Sequence, residues 1–90
     1  MEQIEQDIRA LMDSAQGRRF AWWVLEVSGV YHSSYRDNPQ AMAYAEGKRA
    51  FGNQFLDWLS TVAPQEFLLM QQEALYERYE RRQRLADSGD

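Results

Sequence analysis

The strongest constraint on the fold is how few residues of this chain can end a helix, and how far apart they stand. Strong breakers occur at Gly17, at Gly29, in the run 33–39, at Pro64 and in the tail 87–90. They divide 90 residues into four helix-sized segments. No segment alternates polar and apolar residues over five or more positions, and β-branched residues are few, so a sheet is not expected.

The sequence therefore predicts an all-α fold, a compact bundle of three to four helices at about 2–15, 18–28, 39–62 and 64–86. We expect residues 1–86 to form a single domain and residues 87–90 to be a disordered tail. A chain of this length buries only about 60–65% of its unfolded surface, which predicts marginal stability alone or help from partners.

Apolar spacing and capping residues support the first two helices. Ile4, Ile8 and Leu11 recur at the spacing of one helix face. The second segment is apolar on several sides, so we expect it to be buried nearly all round. Gly29 stands after Ser28, where a left-handed residue ends a helix.

The third and fourth helices begin at prolines. Asn38 followed by Pro39 is a typical N-cap with proline in the first turn, and Pro64 opens the last helix. The loop 30–38 between helices two and three is expected on the surface. The predicted centre of the core is Trp22 or Trp23 with Phe51, Phe55, Trp58 and Leu59.

Small residues in helix three indicate a close contact with a neighbour. Ala43, Gly47 and Ala50 are spaced at i, i+4 and i+7 and so share one side of the helix. We expect a neighbouring backbone or indole ring to approach there.

Residue chemistry gives no sign of a catalytic or metal site. The chain has no cysteine and one histidine, which excludes a disulfide framework, cysteine-ligated zinc and thiol catalysis, and no spaced set of metal ligands is present. The loop 32–37 contains histidine, serine and aspartate, but neighbours on one loop rarely reach the geometry of a catalytic triad, and a turn that bonds its own backbone is expected. Gly47-Lys48-Arg49 lacks the upstream glycine of a phosphate-binding loop. We expect a non-enzymatic protein without a cofactor.

Arg18 and Arg19 lie in the first turn of helix two, where two cations face the positive end of the helix dipole. We expect another interaction of these two arginines to offset that loss of helix stability. One explanation is an ion-pair cluster with Glu46 or Asp13 from neighbouring helices. The other is an exposed contact for an acidic partner surface.

The last helix combines tyrosines with arginines. Glu77 with Arg81, and Glu80 with Arg84, are spaced for favourable i, i+4 pairs, which are typical of a solvated helix. Two further arginines without such partners, on a chain of isoelectric point about 4.9, are too few to follow a nucleic-acid backbone. These charges argue against nucleic-acid binding and favour a contact with another protein.

One end of the chain is a predicted partner-binding surface. Residues 67–70 are consecutively apolar and cannot all face one small core, and tyrosine and arginine are enriched in interface hot spots. Residues 1–16 carry four carboxylates against one arginine and form a complementary acidic patch. We expect a second copy or a larger assembly to contact Leu69, Tyr76, Arg78, Tyr79 and Arg82.

Three strings of the sequence are informative together. They are Gly17-Arg18-Arg19-Phe20-Ala21-Trp22-Trp23-Val24-Leu25, then Ser28-Gly29-Val30-Tyr31 with Ser33-Ser34, and Glu46-Gly47-Lys48-Arg49 with Gly52. As a set they resemble the small phage domain family typified by a Bordetella bacteriophage virion protein. The resemblance covers roughly residues 16–75, leaving out the first helix and the arginine-rich end.

The resemblance implies a structural or assembly role in a tailed phage, without catalytic residues to carry over. It places the protein in the virion, or in the host cytoplasm during assembly, with phage structural proteins or itself as partners. No apolar run approaches the roughly 20 residues needed to span a bilayer, so no membrane span is expected. A phage-encoded regulator or inhibitor of a host protein and a DNA-packaging accessory remain as alternatives. The family pattern, together with Arg19, marks positions to which we assign capping, packing or ion-pair roles: Arg18, Arg19, Trp22, Gly29, Glu46, Gly47, Arg49 and Gly52.

Overall fold

The computed structural model describes residues 2–33 and 35–88, and this part of the chain folds into four α-helices without a strand. They are α1 (Glu2–Met12), α2 (Ala15–Ser28), α3 (Pro39–Val62) and α4 (Pro64–Ser88). The predicted all-α class is confirmed. Helices α2 and α3 each contact the other three helices.

The junction between α1 and α2 differs from the prediction. Gly17 does not separate the two helices, because α2 already begins at Ala15, and α1 ends at Met12. The hydroxyl of Ser14 caps α2 by accepting a hydrogen bond of 3.0 Å from the backbone N–H of Gly17. A side chain at Gly17 would collide with the backbone carbonyl of Leu11, so this glycine permits a close approach and does not end a helix.

The other helix ends follow the sequence signals. Gly29 adopts a left-handed conformation with φ of 75° and ends α2. The side chain of Asn38 accepts hydrogen bonds from two backbone N–H groups of the first turn of α3. Helix α4 begins at Pro64 as predicted and runs to Ser88, so Asp87 belongs to the helix rather than to a disordered tail. Residues 89 and 90 of that predicted tail lie outside the described part.

The core is built mainly from aliphatic side chains and methionines. The predicted central position of Leu59 is confirmed, and the predicted Trp22 and Phe55 pack against the core while partly buried. Val30 is also buried, so the loop 30–38 reaches the surface only after its first residue. The buried cluster comprises Ile8, Met12, Ala21, Leu25, Val30, Leu59, Ala63 and Met70.

The aromatic part of the predicted core is wrong for Phe51 and Trp58, whereas of the two alternatives Trp22 and Trp23 it is Trp22 that packs against the core. Trp23 is 55% exposed, Phe51 is 57% exposed and Trp58 is 40% exposed. The reason is that α3 turns inwards the side that carries Ala45, Gly52 and Leu59, and Phe51 and Trp58 each stand one residue before that side. A side chain at Gly52 would collide with the hydroxyl of Ser28 on α2, so the two helices touch most closely there.

The predicted strip of small residues on α3 faces solvent and not a neighbouring helix. Ala43, Gly47 and Ala50 are exposed, and no atom of another element lies within 4 Å of the position that a side chain at Gly47 would take. The close approach uses the glycine five residues later. Composition indicated that α3 contains a close contact, but the two glycines could be distinguished only by the packing.

The molecule is flat, with extents of 52 × 40 × 15 Å. A thickness of 15 Å accommodates about two layers of packed helices, whose axes lie about 8–10 Å apart. The accessible surface is 6913 Å² for a mass of 10.6 kDa, whereas a compact monomer of that mass exposes about 5,500 Å². The fold therefore leaves far more surface uncovered than its size requires.

Candidate functional site

A partly buried ion pair joins α2 to α4. The guanidinium of Arg18, which is 9% exposed, donates from Nε to Oε1 of Glu73 over 2.8 Å and from Nη2 to Oε2 over 3.1 Å. Its Nη1 donates to the backbone carbonyl of Met12 over 3.0 Å. One arginine of α2 thus bonds both α4 and the end of α1.

The electrostatics of this pair correct one prediction. The partner of Arg18 is Glu73, not Glu46 or Asp13, although the charge of Asp13 also favours the charged arginine. The hydrogen bond from Arg18 holds the pKa of Glu73 below its ordinary value, and that bond also raises the pKa of Arg18. Arg19 is exposed, so of the two neighbouring arginines one is structural and the other lies at the surface.

A groove of about 350 Å³ runs beside the ion pair between α2 and α4. Trp22 lines it and stacks on Tyr31, with ring centroids 5.5 Å apart. Burial raises the pKa of Tyr31, and a hydrogen bond with the side chain of Gln71 partly offsets that rise. Trp22 is therefore a packing residue between α2, the following loop and α4.

The predicted partner-binding residues of α4 are exposed but do not share one face. Leu69 is 40%, Tyr76 62% and Tyr79 59% exposed. At about 100° per residue, Leu69 and Tyr76 lie on one side of the helix, Tyr79 lies about 80° from Leu69, and Arg78 lies opposite Leu69. From Leu75 to Ser88 every residue is exposed, so this end of α4 stands clear of the core. Arg82 lies in that projecting part.

The side of α2 that faces away from the core carries a continuous apolar surface. Phe20 is 54%, Trp23 55% and Val27 48% exposed. The rings of Phe20 and Trp23 contact each other with centroids 6.0 Å apart. The prediction that α2 is buried nearly all round is therefore wrong, since one of its sides is both large and open to solvent.

Helix α3 extends this surface with a row of aromatic residues. Tyr44, Phe51, Phe55 and Trp58 are spaced at i, i+7, i+11 and i+14, and the rings of Phe51 and Phe55 stack with centroids 6.4 Å apart. We define the aromatic face as Phe20, Trp23, Val27, Tyr44 and Phe51.

A groove of about 490 Å³ opens in the aromatic face between α2 and α3. Val24 and Val27 form one wall and Tyr44 and Phe51 the other, while Gly47 leaves the space between them unfilled. Lys48 also lines the groove, and its ammonium lies 5.3 Å from the centre of the Tyr44 ring. The groove is therefore apolar, with its cation placed against an aromatic ring.

The other marked residues have surface positions. Glu46 and Arg49 are exposed on α3, so no buried arginine occurs at that point of the helix. In the loop before α3, the hydroxyl of Ser33 accepts a hydrogen bond of 3.1 Å from the backbone N–H of Tyr35, as expected of a turn that bonds its own backbone. Ser34 of the same loop lies outside the described residues.

Sequence reasoning missed two features of the site. Glu73 gave no local signal as the partner of Arg18, because 55 residues separate them. The aromatic face did carry a signal, the spacing from Tyr44 through Phe51 to Trp58. That spacing describes one side of a helix but does not tell whether this side faces inwards.

Comparison with known proteins gives one match. The family model described as "Bbp19-like phage protein" matches residues 8–72, so it includes the second half of α1 and stops before the projecting end of α4. No curated protein and no solved structure matches the chain. Within residues 2–33 and 35–88, no helix combines the length and apolar character that crossing a bilayer demands.

Proposed function

The chain belongs to the Bbp19-like phage proteins, and on that premise we propose that it is a non-enzymatic structural or assembly component of a tailed-phage virion. It works by binding other proteins, either phage structural proteins or further copies of itself. Its place is then the virion, or the host cytoplasm while particles are assembled.

The observation that carries this proposal is the uncovered apolar surface. The chain exposes 6913 Å², about 1,400 Å² more than a compact monomer of its mass. A typical protein–protein interface buries about 800 Å² per partner, so the excess is large enough for at least one such interface. Large aromatic side chains dominate the exposed apolar residues, and these are enriched at interface hot spots.

The exposed side of α4, from Leu69 into its projecting end, is the first contact surface that we propose. Leu69, Tyr76, Arg78, Tyr79 and Arg82 are all exposed on this helix and span about half of its circumference. A partner that contacts all five must therefore reach around half of the helix. The acidic residues of α1 provide a complementary patch for the arginines.

The test of a virion role is mass spectrometry of purified particles of the phage that encodes the chain. We expect the protein at a fixed copy number relative to the major structural proteins. A protein that is abundant in infected cells but absent from every particle and assembly intermediate would overturn the proposal and favour a regulator of a host protein.

The contribution of α4 is tested with the double variant Tyr79→Ala/Arg82→Ala. Neither side chain reaches the core, so the helical circular dichroism should be unchanged while incorporation into particles falls. The matched control is Glu80→Ala/Arg84→Ala on the same part of the helix, which keeps the net charge and should be incorporated normally. Equal incorporation of both variants would refute this surface.

A role in DNA packaging is the competing outcome. It requires binding to double-stranded DNA that weakens steeply as the salt concentration rises. We expect no binding at low salt, because the chain has a formal net charge of −4. Salt-sensitive DNA binding by the intact chain would contradict the proposal.

A further inference from the structure

We propose that two copies of this chain pair through the aromatic face, related by a twofold axis, so that the Phe20 and Trp23 side chains of each copy fill the groove above Gly47 of the other. This surface is separate from the projecting end of α4. The proposal therefore goes beyond a role in the virion and does not depend on it.

The shape of the face is suited to pairing with itself. A twofold contact uses the same patch on both copies, so the patch must contain both a projecting group and a cavity that receives it. Phe20 and Trp23 form the projecting group, since both are more than half exposed and their rings support each other at 6.0 Å.

The receiving cavity lies farther along the same helix. Val24 and Val27, one to two turns after Phe20, line the groove that α2 forms with α3. Its volume of about 490 Å³ falls in the range of about 300–1,000 Å³ typical of pockets that enclose organic groups. Gly47 keeps it open, because nothing lies within 4 Å of the position of a side chain there.

Charge favours a second copy on this face over self-pairing elsewhere. Twofold pairing places a patch opposite itself, so a patch of one sign repels its own copy. The acidic α1 has that difficulty, with four carboxylates against one arginine in residues 1–16. The lining of the aromatic groove has Lys48 as its charged residue, and the ring of Tyr44 already lies beneath that ammonium.

The area also fits a dimer. A typical interface buries about 800 Å² per partner, and this chain exposes roughly 1,400 Å² more than a compact monomer, an excess that the aromatic face shares with the projecting end of α4.

The experiment measures the mass of the purified chain by light scattering over a range of concentrations, with circular dichroism as the check on folding. We expect the native chain to approach twice the 10.6 kDa of a single copy. A mass that stays at one copy at every concentration would overturn the proposal. So would a mass that keeps increasing with concentration, because a twofold contact closes at two copies.

Two variants test the projecting group and the cavity separately. Trp23→Ala removes the largest projecting ring, and Gly47→Leu fills the groove. Each should raise the dissociation constant of the dimer by roughly tenfold or more. Because Gly47 lies in open space on a helix, the leucine should leave the helicity intact. This variant therefore tests whether the groove forms part of the dimer contact even if Trp23→Ala disturbs the fold.

Three controls accompany them. Gly47→Ala changes the same position but leaves most of the groove open, and should dimerise like the native chain. Asn53→Leu adds a leucine to another side of α3, and Tyr35→Ala removes an exposed ring outside the face. Dimers that survive both Trp23→Ala and Gly47→Leu, or that are lost equally in the controls, would refute the assignment.

Discussion

The two sides of α2 differ in everything but their secondary structure. The inner side carries Ala21 and Leu25, which are fully buried, and Ser28, whose hydroxyl donates a 2.7 Å hydrogen bond to the carbonyl of Leu25. The outer side carries Phe20 and Trp23, which are larger but more than half exposed. Large aromatic side chains on this helix are therefore left outside the core, while alanine, leucine and serine are buried.

The physical reason lies in the distance between helices. A glycine or alanine at a contact lets two helix backbones come close. Many pairs of atoms then lie within van der Waals distance, so the favourable dispersion energy is concentrated at that contact. Gly52 against Ser28 is such a point between α3 and α2. Large aromatics on the same helices cannot enter that contact, and in a chain this short there is no further layer to cover them.

The largest difference between the two sides should appear on truncating one residue of each. Leu25→Ala removes a fully buried side chain and should lower the free energy of unfolding by about 3 kcal/mol, while Phe20→Ala should lower it by less than about 1 kcal/mol. Urea unfolding checks this at concentrations low enough that self-association does not contribute. Similar losses for the two variants would mean that the outer side is also part of the core.

The two glycines of α3 provide the next test. Gly52→Ala places a methyl group against the buried Ser28 side chain and should destabilise the fold by about 2 kcal/mol. Gly47→Ala meets no neighbour and should stabilise the helix by about 0.5–1 kcal/mol, because alanine loses less backbone freedom on folding. Thermal unfolding of the two variants shows whether each substitution raises or lowers stability. A stabilising Gly52→Ala would contradict the close approach of α3 to Ser28.

Arg18 and Arg19 are adjacent, but Arg18 is buried and Arg19 is exposed, like the two sides of α2. Arg18→Ala breaks the pair with Glu73 and frees the buried carbonyl of Met12, so we expect a loss of about 1.5 kcal/mol. Arg19→Ala, at an exposed position, should change stability by less than about 0.5 kcal/mol. Chemical unfolding of both variants tests this, and equal effects would show that the ion pair does not hold α4.

The smallest expected effect is a dependence on pH. The pKa of Glu73 is lower in the folded chain than its ordinary value of 4.5, so the unfolded state binds the proton more readily. The stabilisation by the ionised carboxylate is present above that ordinary value and is lost as the pH falls through the folded-state pKa. We expect the free energy of unfolding to fall more steeply on acidification in the native chain than in Glu73→Gln. Parallel pH profiles would contradict this.

Much of the secondary structure could be predicted because its signals are local. The caps at Gly29 and Asn38 and the start at Pro64 depend on the conformational preferences of one or two residues, and the structure confirms all three. Gly17 was misleading because a glycine can mark either the end of a helix or a close contact, and the sequence does not distinguish these roles. The structure distinguishes them, because a side chain at Gly17 would collide with the backbone carbonyl of Leu11.

The sequence by itself determined that this chain is helical, where most of its helices begin and end, and that α4 has more apolar residues than a small core can take. Only the tertiary structure decided that Glu73 pairs with Arg18, that Gly52 rather than Gly47 lies at the contact, and that Trp23 and Phe51 face solvent. Helical periodicity fixes which residues share a side of a helix. Which side faces inwards depends on how closely the neighbouring helices can pack, a property of pairs of segments that are distant in the chain.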